Sequence, residues 1–144
     1  MGELENTVII YSSDNGYFMG DHTFLDKRLA YENSMRVPMI IRYPKIIAKN
    51  SVIKEQCLNI DIAPTILDLA GVKKPTYMQG ESMVKLISGK KDKSWRKSML
   101  FEYYVDDAWP YAGPNQVAVR TNKYKLIDNF LRDNDIAAIS NKEV

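Results

Sequence analysis

Thr7-Val8-Ile9-Ile10-Tyr11-Ser12, followed at once by Ser13-Asp14-Asn15-Gly16, decides how this chain is read. The first run is β-branched and apolar without alternation. That pattern predicts a strand covered on both faces of a mostly parallel sheet. A carboxylate and a carboxamide then stand where the strand ends, and ligands of open α/β sheets gather at the carboxyl ends of strands. Asp-Asn-Gly is equally a common turn sequence, because Asn and Gly tolerate positive φ. Both readings make residues 13–16 a loop, and only the first gives that loop chemistry.

Outward from this stretch, Ser13 to Asp26 is a loop rich in Gly, Asp and aromatic residues, and Lys27 to Ser34 has room for a short helix. Val37 to Tyr43 reads as a second buried strand closed by Pro44, with Pro38 favouring an edge or a strand start. Asp61 to Gly71 carries the strongest helix signal. Asp61 is placed to cap it, Pro64 sits in its first turn, and Gly71 ends it. Glu81 to Ile87 predicts a further short helix, stopped by Ser88-Gly89, and Lys90 to Lys93 a solvated loop. From Ser98 the pattern changes. Met99 to Tyr104, Gln116 to Arg120 and Tyr124 to Ile127 read as closely spaced strands of an antiparallel subdomain. The expected organisation is an α/β part over residues 1–97, a small antiparallel β subdomain over 98–133, and a loosely held tail over 134–144.

The bulk properties exclude several classes. The chain has 144 residues, a hydrophobic fraction of 45% and a charged fraction of 26%, which is the composition of an ordinary globular domain with a real core. A net charge of +2, from 20 basic and 18 acidic residues, is too balanced to argue for nucleic acid or an anionic membrane surface. No apolar run approaches the roughly 20 residues that span a bilayer. The polar, acidic opening Met1-Gly2-Glu3-Leu4-Glu5-Asn6 is not a signal peptide. One cysteine, Cys57, forms no internal disulfide framework. With no base near it in sequence, it reads as a small buried hydrophobe rather than a nucleophile.

The candidate site residues cluster behind the first strand. Asp14 and Asn15 offer hard oxygens of the kind calcium or magnesium takes. Lys27, beside Arg28, is either a solvent-facing charge or a compact cation for the oxygens of a sulfate or phosphate. His22, the single histidine, is either incidental to a polar loop or a proton donor and hydrogen-bond donor to an anionic ester. Asp133-Asn134-Asp135 resembles the opening of a calcium loop but lacks the glycine and distal glutamate that loop needs. Tyr103, Tyr104, Trp109 and Tyr111 surround a Pro/Gly-containing loop, and serve either packing or a rim that stacks on a sugar face.

With these residues in view, SSDNGYFMGDHTFLDKRLAYENSMRVPMIIRYP resembles the sulfatase family of the alkaline-phosphatase-like superfamily. The shared pattern is a strand, Asp-Asn-Gly, Gly-acidic-His, Lys followed four residues later by Tyr-Glu, then Arg-Val-Pro and a strand. NIDIAPTILDLAGV is similar to the family's next helix, and FEYY and AVRTNKYKLI to its C-terminal antiparallel subdomain. The resemblance implies that Asp14 and Asn15 are two ligands of an active-site calcium. It implies that Lys27 contacts a sulfate oxygen, that His22 lies near the leaving group, and that Tyr31, Glu32 and Arg36 are scaffold. The formylglycine nucleophile of the family arises from Cys or Ser in a Cys/Ser-x-Pro-x-Arg motif, which this chain lacks. The implied reading is the C-terminal portion of a sulfuric ester hydrolase acting on sulfated carbohydrate and inactive alone, with a periplasmic or secreted full-length parent. A related phosphoesterase or phosphonate hydrolase is the nearest alternative, followed by a non-catalytic fragment that only folds or binds carbohydrate. Unpaired sheet edges also lead us to expect self-association.

Overall fold

The computed structural model of the chain describes residues 2–104 and 115–130. Trp109, Tyr111, Asp133-Asn134-Asp135 and the tail 134–144 lie outside the described residues. In chain order the elements are a 3₁₀ turn Glu3–Asn6, β1 (Ile9–Tyr11), β2 (Phe18–Met19), a 3₁₀ turn Asp21–Thr23, β3 (Leu25–Asp26), α1 (Glu32–Met35), β4 (Ile40–Arg42), a 3₁₀ turn Asn59–Asp61, α2 (Ile62–Leu69), α3 (Val84–Ile87), β5 (Ser98–Tyr103), β6 (Asn115–Thr121) and β7 (Lys125–Phe130). They group into two compact units. One comprises Met1–Asp14 with Pro38–Lys97, and the other Asn15–Val37 with Ser98–Val144.

In the first unit β1 pairs antiparallel with β4, Ile10 opposite Ile41 and Tyr11 opposite Ile40. Pro38 stands just ahead of β4, where its missing N–H costs no ladder bond. Ile41 turns toward a core of Met83, Leu86, Ile87 and Trp95, joined by Met39, Ile46, Ile47, Ile53, Cys57 and Ile62. Both strands were expected to be covered on two faces. The opposite face is instead open, with Tyr11 62% and Ile40 63% exposed. The reason is geometric: in a two-stranded sheet with a period of two, the helices and loops of this unit cover one face alone.

Asp61 does not cap α2 in the expected way. Its side chain makes no cap bond to that helix. It is fully buried and its carboxylate is forked onto Arg96, Nη1 to Oδ2 at 2.5 Å and Nη2 to Oδ1 at 2.6 Å. The same oxygens accept the N–H groups of Leu58 at 2.7 Å and Glu81 at 2.9 Å. Four donors on one carboxylate satisfy a charge that would otherwise be very costly to bury. Gly80 lies against this knot. A Cβ there would stand 1.8 Å from the Ile60 carbonyl oxygen, so the close approach requires glycine.

In the second unit β5, β6 and β7 form a three-stranded antiparallel sheet in the order β5-β6-β7. This is the antiparallel subdomain expected from the spacing of its strands. β2 and β3 make a short antiparallel pair, Phe18 opposite Asp26. The buried Gln116 of β6 accepts the Ala30 N–H at 2.8 Å and donates to Asn129 of β7 at 2.6 Å. Among the described residues every strand pair in both units is antiparallel.

Candidate functional site

In the first unit the exposed Asp14 follows β1, and its carboxylate accepts the Ser13 hydroxyl at 3.3 Å. The backbone of this turn is held from the 3₁₀ turn before α2. Asn59 Nδ2 donates to the carbonyls of Ser13 at 3.0 Å and Asp14 at 2.8 Å. Sequence reading passed over Asn59, because nothing local connects it to residues so far upstream. An amide at a helix entrance was the available signal.

In the second unit Asn15 Nδ2 donates to the Gly16 carbonyl at 2.7 Å. Gly16 gives its N–H to the Ser34 carbonyl at 2.7 Å, and a Cβ on Gly16 would fall 2.0 Å from the Asn33 carbonyl oxygen. The glycine of Asp-Asn-Gly is thus needed for close approach to α1. The buried Ser34 then donates its hydroxyl to the carbonyl of Lys27. Ser34 therefore connects the backbone next to Asn15 with the backbone of Lys27, two positions that sequence reading had singled out. The Lys27 side chain is exposed, and its N–H is received by Asp26 at 2.8 Å.

His22 stands on a loop of unusual backbone. His22, Thr23 and Asp26 take φ values of 53°, 64° and 100°, next to Gly20 at 105°. Left-handed conformation is unfavourable for such residues, for β-branched Thr23 above all, and persists where surrounding packing over-determines it. The packing is aromatic. Phe18, 1% exposed, sets its ring edge to Phe24 at 5.8 Å and Tyr31 at 6.0 Å, and the His22 ring lies 5.1 Å from that of Tyr31.

Beyond Tyr31, Glu32 is bound twice by Arg120, Nε at 2.8 Å and Nη2 at 3.1 Å, and by Lys125 Nζ at 2.7 Å. The Arg120 hydrogen bond is the main cause that holds the Glu32 carboxyl down to about 2. Lys125 also donates to the Ala30 carbonyl at 2.9 Å. This network ties α1 to the β6–β7 hairpin. Around it His22, Tyr31, Arg36, Lys123 and Tyr124 line an open pocket of about 530 Å³.

Cys57 belongs to the first unit's core. Burial first, and the Asp61 carboxylate second, push its thiol up to about 11. A thiol so far from its ionised form is no nucleophile at neutral pH, as the sequence reading held. Among the described residues no three His, Cys, Asp or Glu side chains converge as a metal centre. Nor is any described helix long and apolar enough to cross a membrane.

The family model described as N-sulphoglucosamine sulphohydrolase, C-terminal, matches residues 20–143. The chain belongs to the sulfatase family and corresponds to the C-terminal portion of its members. It is 42% identical over 137 residues to an N-acetylglucosamine-6-O-sulfatase of Bacteroides thetaiotaomicron, covering 94% of this chain and 24% of that protein. It is 41% identical over 106 residues to the extracellular sulfatase SULF-1 homolog of Drosophila melanogaster, covering 71% of this chain and 9% of that protein. Among solved structures, that of BT4656 with its substrate D-glucosamine-2-N,6-O-disulfate superposes with a TM-score of 0.84 at 40% identity, over 90% of this chain and 26% of that one. The phosphonate monoester hydrolase of Agrobacterium radiobacter superposes with a TM-score of 0.79 at 26% identity, over 89% of this chain and 28% of that one. The chain thus has the alkaline-phosphatase-like α/β fold class expected from its sequence. It spans between 9% and 28% of the length of these relatives.

Proposed function

We propose that this chain works as the C-terminal part of a sulfuric ester hydrolase whose substrate is a sulfated amino sugar. The observation that carries the reading is the 42% identity, across 94% of the chain, to an N-acetylglucosamine-6-O-sulfatase. In this reading Lys27 holds a sulfate oxygen as a fixed cation, and His22 donates a proton or hydrogen bond toward the leaving oxygen. Asp14 and Asn15 supply hard oxygens to a calcium ion. Two such donors fit the ion's chemistry and fall well short of the ~6–8 oxygens it takes, so the remainder must come from outside the described residues. When bound, the ion would neutralise charge on the ester oxygens. The chain's own part is to place those two donors, with the turn before Gly16 fixed by Asn59 and the turn after it by Ser34.

The formylglycine nucleophile is expected outside this sequence, so the isolated chain hydrolyses nothing. Purified alone and given an aryl sulfate, it is expected to show no turnover; measurable hydrolysis overturns that statement. Isothermal titration with calcium is expected to give an affinity far below that of a complete site, and sub-micromolar binding would contradict the two-donor reading. A periplasmic or secreted setting is part of the proposal, supported by similarity to a protein named as an extracellular sulfatase. So is self-association through the open β1–β4 face, supported by the exposure of Tyr11 and Ile40.

The superposition on a phosphonate monoester hydrolase favours a second reading, hydrolysis of a phosphonate or phosphate ester by the same clamp. Both anions present oxygens around a tetrahedral centre. Matched sulfate and phosphonate esters given to the complete enzyme decide between them: faster turnover of the sulfate supports the first reading, and faster turnover of the phosphonate replaces it.

A further inference from the structure

The pocket between α1 and the β6–β7 hairpin carries an inference of its own. Four basic side chains, Arg36, Arg120, Lys123 and Lys125, line this pocket together with a single carboxylate, Glu32. Arg120 and Lys125 are engaged by that carboxylate at 2.7–2.8 Å. Arg36 and Lys123 are exposed and form no ion pair among the described residues. Two cations are therefore in excess on the wall of a concave site. Its other walls include the exposed rings of Tyr31 and Tyr124, the second lying 5.1 Å under the Lys123 ammonium. Ring faces beside cations suit a sugar that bears negative charge. At about 530 Å³ the pocket is within the size range of small-molecule sites. His22, which the proposed function assigns to the leaving oxygen, also lines the pocket.

We propose that this pocket is a specificity site for a second anionic substituent of the sulfated sugar, with Arg36 and Lys123 as its anion-binding residues. The inference rests on the sulfatase reading for the first sulfate and adds a second point of recognition. The alternative role for these residues, a solvated basic face, leaves the chain indifferent to how many acidic groups the sugar carries.

The test is an NMR titration of the purified chain with glucosamine 6-sulfate and with glucosamine bearing both N- and 6-sulfates. The disulfated sugar is expected to bind about threefold to tenfold more tightly, the range of one or two exposed ion pairs, with the preference shrinking as salt is added. Arg36→Gln with Lys123→Gln is expected to bring the ratio of the two affinities close to one, and Lys123→Arg to keep it. Both positions are exposed, and an unchanged amide spectrum of the free variants verifies the fold. A ratio near one in the parent chain, or a preference that survives the double substitution, overturns the pocket and leaves the sulfatase reading standing. Failure of both sugars to bind likewise overturns the pocket, while the sulfatase reading is decided by turnover of the complete enzyme.

Discussion

Asn59 donates its side-chain amide to the carbonyl of Asp14 at 2.8 Å, and the same nitrogen reaches the Ser13 carbonyl at 3.0 Å. The turn that carries Asp14 is thereby fixed through its backbone. Asn59→Ala removes both bonds and is expected to cost about 0.5–1.5 kcal/mol, since the site is exposed and water takes over part of the role. Asn59→Asp is the sharper variant. It keeps the shape but turns a donor into an acceptor facing two carbonyls, and should destabilise at least as much. Urea unfolding at pH 7 measures both, and a loss below about 0.2 kcal/mol for each would show the clamp to be idle.

The Asp61–Arg96 pair makes a larger prediction. Asp61 is fully buried, so Arg96→Met strands its charge away from water. Removing one partner of such a pair costs about 3–5 kcal/mol, whereas replacing both by groups of similar volume is far milder. Asp61→Asn combined with Arg96→Met should therefore be more stable than Arg96→Met alone. A double-mutant cycle by urea unfolding reads this directly. Simple additivity would mean that the two groups do not depend on each other.

Glu32 gives a pH dependence. Its carboxyl is lowered from an ordinary value of 4.5 to about 2, first by the Arg120 hydrogen bond and then, against the opposing effect of burial, by Lys125. A depressed carboxyl contributes stability that is present above the unfolded value and lost as pH falls through the folded one. The difference in unfolding free energy between the parent and Glu32→Gln should hence be constant above about pH 5 and shrink steadily toward pH 2. The side chain is 42% exposed, so solvent screens the interaction and the whole effect stays small. A gap that widens on acidification would contradict the assignment.

These networks also mark where the sequence stopped being legible. The strands of the β5–β6–β7 sheet and helix α2 were readable because their signals are local: short spacing between β-rich runs, Pro64 in a first turn, Gly71 at an end. Asp61 was misread because a carboxylate before a helix has a common local use as a cap. Here a guanidinium 35 residues further along the chain overrides it, a separation that no periodicity encodes. The same holds for Glu32 with Arg120 and Lys125, and for Ser34 with Lys27, which are partners made by folding alone. The apolar runs of β1 and β4 gave the strands correctly but not their coverage. Continuous apolarity says that a strand can be buried on two faces, while the open face at Tyr11 and Ile40 depends on what else is packed there. Of the candidate site, the residue types and their order could be read from the motif. The devices that hold them, Asn59 and Ser34, could not.

Gly16 offers a direct check on the closeness of the Asp-Asn-Gly turn to α1. A methyl at this position would sit 2.0 Å from the Asn33 carbonyl oxygen, a backbone atom that no side-chain rotation can move aside. Gly16→Ala must push the turn away from α1 and lengthen the bond from its own N–H to the Ser34 carbonyl, now 2.7 Å. Overpacking of this kind costs about 1–3 kcal/mol. If the turn were instead held open and glycine served only for backbone freedom, alanine would be nearly neutral. Unfolding free energies of the two forms separate these outcomes, and amide exchange at residue 16 locates the change, since faster exchange there is the signature of a loosened Gly16–Ser34 bond.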